Sequence, residues 1–227
     1  MQHWIEYGPA YALATLGLSA GESVIVEAGG MVSMTPGLEV QTSSGAAGGG
    51  MLGGLKRMAL GGESFFMNTF TAHHDAQLTV APAQPGDIVH WDLTGQTVML
   101  TSGAFLAASN GVTVDTKWGG AKTFFSKEGL FLLRVSGTGS LLIASYGAIK
   151  QIDLADEQQY TVDTGHIVAF GEGVGYAVRK FGGWKSTFLG GEGLVVDLTG
   201  PGPIWIQTRS PESFVSWISP LLPTQRS

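Results

Sequence analysis

The chain has 227 residues, of which 13% are charged and 35 are glycine, and its formal net charge at pH 7 is −6. This acidic balance argues against nucleic-acid binding, which depends on Lys and Arg neutralising phosphates. The sequence contains no cysteine, which excludes disulfides, thiolate zinc sites and a Cys nucleophile. The charged fraction is about half that of an ordinary soluble domain, and such a surface tends to be covered by other subunits.

The N-terminal segment, MQHWIEYGPAYALATLGLSAGE, is apolar but interrupted. It has no basic n-region, and Gly8, Pro9 and Gly17 break its apolar part, so no signal peptide is predicted. No run in the chain approaches the roughly 20 apolar residues that cross a bilayer. These features predict a cytoplasmic protein and leave peripheral contact with a membrane open.

Strand patterns dominate the chain. Short β-branched or aromatic runs, bounded by Gly, Pro or Asp, predict strands at 22–32, 64–72, 77–81, 129–135, 141–144, 160–162, 166–170 and 194–198. The predicted fold is therefore all-β.

A single short helix is predicted at 211–219, near the C-terminus. Ser210 is its N-cap, Pro211 lies in its first turn, and Pro220 ends it. Phe214, Trp217 and Ile218 then share one face at helical spacing, and we expect this face to dock on the rest of the molecule.

Three stretches of the chain resemble one another. They are LSAGESVIVEAGGMVSM from Leu18, LTGQTVMLTSGAFLAAS from Leu93 and LADEQQYTVDTGHIVAF from Leu154, with Gly29, Gly103 and Gly165 aligned. Each has a leucine, a polar turn, an alternating strand, a glycine and a second apolar strand. Downstream, each continues through a Gly-containing excursion and a glutamate (Glu63, Glu128, Glu192) into further strands.

This self-similarity predicts one compact unit of three pseudo-repeats, approximately 1–80, 81–148 and 149–210, followed by the helix. One repeat cannot bury its apolar face alone, so the copies should pack on one another.

The segments GESVIVEAGGMVSM, GGMLGGLKRMALGGESFFMNTFTA and IWIQTRSP resemble the altered-inheritance-of-mitochondria family, and the likeness covers nearly the whole chain. The resemblance implies three tandem modules similar in fold to the trp RNA-binding attenuation protein, a short variant of the double-stranded β-helix. It also implies homo-oligomers in a closed ring, with a trimer as the first expectation. Bacterial members of the family have no settled biochemical function, and the mitochondrial relatives are associated with inner-membrane organisation.

The most unusual stretch is GAAGGGMLGGLKRMALGGE at residues 45–63. It is not a P-loop, because Gly54 is followed by Leu55 rather than Lys, and Lys56 is followed by Arg57. A dinucleotide pattern also fits by letters alone, but the βαβ context is missing. No cofactor is predicted here.

The same stretch supplies a candidate contact surface for a membrane or a protein partner: Met51, Leu52, Leu55, Lys56, Arg57, Met58 and Leu60. A short helix over 51–60 would place the two cations opposite the leucines, as in an interfacial helix. Each cation near an anionic membrane surface contributes about 1 kcal/mol, so several copies would be needed for useful binding. The alternative is that this helix plugs a module or subunit interface. The segments TKWGGAKTFF and RKFGGWKSTF look like its counterparts in the other two repeats.

Nothing in the sequence predicts an enzyme or a metal centre. His73 and His74 are neighbours, and neighbours on a strand point to opposite faces, while His90 and His166 are solitary and His3 is terminal. The three repeated glutamates fit turn positions at strand starts better than an acid–base pair, and no Gly-x-Ser-x-Gly elbow occurs.

The leading hypothesis is a non-enzymatic oligomeric β scaffold or interaction protein. The alternative is a small-molecule-binding protein with a pocket between modules or subunits.

Overall fold

The computed structural model describes residues 1–44, 65–116, 131–181 and 193–223. The first part of the chain forms β1 (Gln2–Glu6), β2 (Leu13–Leu18), β3 (Ser23–Glu27), β4 (Met31–Met34), β5 (Leu38–Ser44), β6 (Phe66–Ala72) and β7 (Ala76–Val80). The middle part forms β8 (Ile88–Thr101), β9 (Phe105–Ser109), β10 (Val112–Asp115) and β11 (Leu132–Ala144).

The last part forms β12 (Ile149–Leu154), β13 (Gln159–Asp163), β14 (Ile167–Gly171), β15 (Gly175–Lys180), β16 (Leu194–Thr199) and β17 (Gly202–Gln207), and then helix α1 (Pro211–Ile218). The predicted all-β class with one short C-terminal helix is confirmed.

One order of antiparallel pairings recurs along the chain. In the first part, β2 and β4 flank β7, while β3 and β5 flank β6. In the last part, β12 and β14 flank β17, while β13 and β15 flank β16. In the middle part, β8 and β11 are long strands, and each of them fills the places that two separate strands fill in the other parts. Strands β9 and β10 both pair with β11. Three modules would produce this order, although the division at 1–80, 81–148 and 149–210 stays a prediction.

Two further pairings join these parts into larger sheets. Strand β3 pairs with β9, and β8 pairs with β14, which gives a ten-stranded sheet in the order β12-β17-β14-β8-β11-β9-β3-β6-β5 with β10 alongside β11. A four-stranded sheet, β1-β2-β7-β4, and a three-stranded sheet, β13-β16-β15, remain separate. Strands β4 and β13 are therefore edge strands of the two small sheets.

The core consists of three adjoining clusters of buried apolar side chains. The first lies between β2, β3, β6 and β7 and includes Leu16, Val26 and Leu78. The second contains Phe105 and Trp205, whose indole ring lies 4.0 Å from that of Trp91. Because Trp91 is on β8 and Trp205 on β17, this contact ties the middle of the chain to its last part.

The connections between successive parts contact one another through backbone hydrogen bonds. The amide of Ala12 donates to the carbonyl of Gly86 at 2.9 Å, and the amide of Asp87 donates to the carbonyl of Gly147 at 3.0 Å. Gly86 approaches the carbonyl of Ser145 so closely that a Cβ could not fit between them. Glycine at position 86 is therefore a steric requirement of this crossing.

Two sequence-based strand boundaries are wrong. The predicted strand 22–32 is two strands, because the backbone turns at Gly29, which has a φ of 92°. The predicted strands 129–135 and 141–144 are one strand, β11, because Gly137 and Gly139 form a bulge with positive φ instead of a turn.

Helix α1 begins as predicted, with the Ser210 hydroxyl accepting a hydrogen bond from the amide of Ser213 at 3.3 Å. The expectation that its apolar face docks is wrong, because no residue of the helix is buried and Trp217 is 65% exposed. The Phe214 ring meets the ring of Tyr146 at 6.0 Å, and this edge contact leaves the rest of the apolar face open. No helix in the described part of the chain is long and apolar enough to cross a membrane.

Candidate functional site

The predicted contact residues Met51, Leu52, Leu55, Lys56, Arg57, Met58 and Leu60 lie outside the described residues. The repeated glutamates Glu63, Glu128 and Glu192 also lie outside them. The described ranges nevertheless contain two features of functional interest, which are a cleft and an exposed apolar edge strand, β4.

A cleft of about 500 Å³ opens where segments from all three parts of the chain converge. Its walls are made by Glu27, Pro82, Ala83, Gln84, Thr101, Gly103, Ser145, Gly165, Ile167 and Gln207, together with Pro211, Glu212, Val215 and Ser216 of α1. The volume falls in the range typical of small-molecule sites.

Several polar side chains of the cleft are held in place by internal hydrogen bonds. The Thr101 hydroxyl donates to the carbonyl of Val168 at 3.2 Å. The Gln207 amide nitrogen donates to the carbonyl of Gly165 at 2.9 Å, and its oxygen accepts from the amide of Tyr146 at 2.9 Å. These hydrogen bonds hold the side chains of Thr101 and Gln207 in the wall of the cleft. A ligand would therefore have to contact other side chains of the cleft.

Glu27, the last residue of β3, is the most unusual of those groups. Its side chain is partly buried, and its carboxylate has no hydrogen-bond or ion-pair partner among the described residues. Burial raises the pKa of Glu27 to about 7. Glu212 adds a second carboxylate, and no basic side chain lines the described walls of the cleft. The arrangement suits a ligand that brings a positive charge or hydrogen-bond donors.

The second feature is the exposed edge strand β4. Met31, Val32 and Met34 are 43%, 56% and 46% exposed. The strands at the corresponding place in the pairing order, β9 and β14, have nearly all of their side chains buried. Strand β4 is thus apolar like its counterparts, but no described strand covers it as β3 covers β9 and β8 covers β14.

The histidines are less dispersed than the sequence predicts. His90, expected to be solitary, lies against the terminal His3, with the two ring centroids 3.9 Å apart. Burial, and secondarily the neighbouring His90, lowers the pKa of His3. The Nε2 of His90 lies 3.2 Å from an Asp92 carboxylate oxygen, yet it makes no hydrogen bond. Within the described ranges no group of three or more His, Cys, Asp or Glu side chains is arranged to hold a metal ion.

The remaining histidines make local contacts. His73 lies 3.3 Å from Glu39, and His74 Nδ1 lies 3.1 Å from the carbonyl of Asp75. The Nδ1 of His166 is 2.7 Å from the carbonyl of Gln207. Each has an ordinary structural partner.

The strand order defines an all-β protein with one short C-terminal helix, a cleft where its three parts converge and an exposed apolar edge strand, β4. Residues 4–209 match the model of the family described as Mitochondrial biogenesis AIM24, and the chain belongs to this family.

The chain is 31% identical to an uncharacterized protein of Streptococcus pyogenes serotype M6, over 99% of this chain and 92% of the relative. It is also similar to the X-ray crystal structure of a Streptococcus pyogenes protein, with a TM-score of 0.80, 30% identity and coverage of 97% of this chain and 99% of that one. These likenesses support the fold along almost its whole length. The function has to be argued from the surfaces themselves.

Proposed function

We propose that the protein is a non-enzymatic, self-associating β scaffold that acts through contacts between chains and with a partner. One observation carries the proposal: an apolar edge strand, β4, is exposed although its counterparts β9 and β14 are buried. Exposed flat edges are usually blocked by Lys, Pro or a bulge. Strand β4 contains neither a charged residue nor proline. Its pairing with β7 shifts register between Met31 and Ser33, but β9 and β14 have similar shifts and are still paired on both sides.

Helix α1 supports the same proposal from the other end of the chain. Phe214, Val215 and Trp217 are exposed, although a helix of this kind normally buries its apolar stripe. Leu221 and Leu222 extend the apolar surface beyond the helix. A contiguous apolar patch on a protein surface is typical of an interaction site.

The test of self-association is native mass spectrometry and sedimentation velocity of the purified protein over a range of concentrations. We expect a discrete oligomer, and a closed ring of three chains is the first arrangement to look for. A monomer at every concentration would overturn the scaffold proposal.

Peripheral membrane contact is part of the proposal, and its support is the sequence of the glycine-rich stretch alone. Lys56 and Arg57 are the only Lys or Arg in residues 1–116. A Lys56→Glu/Arg57→Glu variant should lose flotation with vesicles containing phosphatidylserine and keep its oligomeric state. Equal flotation of the variant and the wild-type protein would refute membrane contact at these residues.

The cleft supports a second candidate function, the binding of a small molecule. The observation in its favour is the partly buried, unpartnered carboxylate of Glu27, whose pKa is raised to about 7 by burial. A cationic ligand would stabilise the ionised form of Glu27 and repay part of its desolvation.

Putrescine, a small diamine, is a suitable probe for the cleft, and calorimetric titration measures its binding. We expect the wild-type protein to bind it more tightly at pH 8 than at pH 6, and a Glu27→Gln variant to lose that difference. Glu6→Gln, a change at an exposed residue of β1 away from the cleft walls, should bind as the wild type does. Absence of binding to the wild-type protein, or equal binding by Glu27→Gln, would reject this candidate.

A further inference from the structure

The two junctions between parts of the chain use the same register. At the first junction Val24 pairs with Ser109, Ile25 with Ala108 and Val26 with Ala107. At the second junction Val98 pairs with Gly171, Met99 with Phe170 and Leu100 with Ala169. When the chain is aligned on Gly29, Gly103 and Gly165, these pairs occupy equivalent positions. Each junction therefore joins the strand before the aligned glycine in one part to the strand after it in the next.

Six strands precede or follow the aligned glycines, and two of them, β13 and β4, take part in no such junction within the described residues. Among the described strands, β13 precedes Gly165 and pairs only with β16, and β4 follows Gly29 and pairs only with β7. Each is one of the two edge strands of its small sheet, and the two come from opposite ends of the chain. The repeated register specifies how they would meet, with Tyr160 opposite Thr35, Thr161 opposite Met34, and Val162 opposite Ser33.

We infer that β4 of one chain pairs antiparallel with β13 of a second copy in this register. The inference rests on the proposed self-association and names the surface responsible for it. Because the contact joins two different strands, it is head-to-tail, and successive copies either close into a ring or continue as a fibre.

The burial of side chains at the two existing junctions supports a second copy of the chain as the neighbour of β4. Phe105, Leu106 and Ala107 on β9 are fully buried, as are Val168 and Ala169 on β14. The corresponding residues of β4, from Met31 to Met34, are exposed. A pairing equivalent to the existing junctions would bury this apolar strand and also satisfy the unpaired backbone groups of both edges.

The chemistry of the two edges is compatible with pairing. Strand β4 is uncharged, and the three positions of β13 that would face it are Tyr160, Thr161 and Val162. Tyrosine, threonine and valine favour strands and form stabilising cross-strand pairs. No like charges would meet across these three pairs.

The cysteine-free sequence allows a direct test by disulfide trapping. Two single variants, Met34→Cys and Thr161→Cys, one carrying a mass tag, are mixed and oxidised under mild conditions. Residues directly opposite in antiparallel strands have Cβ atoms about 4.5–5.5 Å apart, close to what a disulfide requires. The pair Ser33→Cys and Val162→Cys samples the next position, since hydrogen-bonded and non-hydrogen-bonded pairs alternate.

The control moves one thiol two residues along the same face of β13. A mixture of Met34→Cys and Gln159→Cys keeps both thiols on the same face of the sheet but moves one of them two residues out of register. We expect at least tenfold more covalent dimer from a matched pair than from this mixture. In this register Val32 lies opposite Asp163, so a Val32→Glu variant would bring two carboxylates together and should raise the dissociation constant of the oligomer at least tenfold while keeping its circular dichroism spectrum.

The possible results separate the inference from the proposed function. If the protein is oligomeric but neither matched pair cross-links, the edge-pairing inference fails and self-association stands. A disulfide formed within one chain by a Met34→Cys/Thr161→Cys double variant, without a covalent dimer, also overturns the inference. If the wild-type protein is monomeric at every concentration, both proposals fail.

Discussion

Glu27 gives the clearest pH-dependent prediction at the scale of single residues. Burial raises its pKa from about 4.5 to about 7, so between these values the native state holds a proton that the unfolded chain releases. The free energy of unfolding must therefore fall as the pH rises through this interval. The loss is at most about 3.5 kcal/mol, since one pKa unit corresponds to about 1.4 kcal/mol.

Urea unfolding of the wild-type protein and a Glu27→Gln variant between pH 4.5 and pH 8 measures this effect. The free energy of unfolding of the variant, relative to the wild type, should rise with pH and level off above pH 7. The exposed substitution Glu6→Gln is the control. Parallel pH profiles for wild type and Glu27→Gln would show that the carboxylate is not desolvated.

Gly86 supports a second prediction, based on steric exclusion. A Cβ at this position would collide with the backbone carbonyl of Ser145, which cannot move like the end of a flexible side chain. We expect Gly86→Ala to lower the free energy of unfolding by at least about 2 kcal/mol, as for other backbone-disrupting changes. Gly193→Ala is the matched control, because a Cβ there meets no atom within 4 Å. Similar denaturation midpoints for the two variants would contradict the close crossing.

Helix α1 should behave as a nearly independent element. Its Ser210 cap satisfies an amide of the first turn, and loss of such a cap usually costs about 1 kcal/mol of helix stability. Because no helix residue is buried, Ser210→Ala should increase hydrogen exchange within 211–218 while the midpoint of global unfolding stays nearly constant. Measurement at a protein concentration below oligomer formation keeps partner contacts from masking the effect. An equally large fall in global stability would mean that α1 is part of the cooperative core.

The elements also show what local sequence patterns can and cannot predict. Capping and proline signals placed α1 almost correctly, since they act over a few residues. The prediction that its apolar face docks was wrong. Helical spacing of apolar residues shows which face of a helix is apolar, but it does not show what covers that face. The cleft was not foreseen residue by residue, since Glu27, Thr101 and Gln207 are far apart in sequence and meet only through long-range strand register. The aligned glycines predict only the repeat, although two of them, Gly103 and Gly165, lie in the walls of the cleft.

At the scale of the whole molecule, one ten-stranded sheet runs from β5 to β12 through all three parts of the chain. Removing one part would expose the apolar side chains of the next, so the described fold should unfold as one cooperative unit even though it contains three core clusters. Trp205 is the best probe, because it is 5% exposed and its ring stacks on Trp91 from another part of the chain.

We therefore expect Trp205→Ala to lower the free energy of unfolding by about 3–5 kcal/mol, the usual cost of truncating a buried aromatic residue. Guanidinium titrations followed by fluorescence and by far-ultraviolet circular dichroism, at one protein concentration, should shift to the same lower midpoint. Trp217→Ala, at a position 65% exposed, should change the free energy of unfolding by less than about 0.5 kcal/mol. If Trp205→Ala instead split the circular dichroism curve and left one transition at the wild-type midpoint, the parts would unfold separately. The continuous sheet would then join domains that are each stable alone.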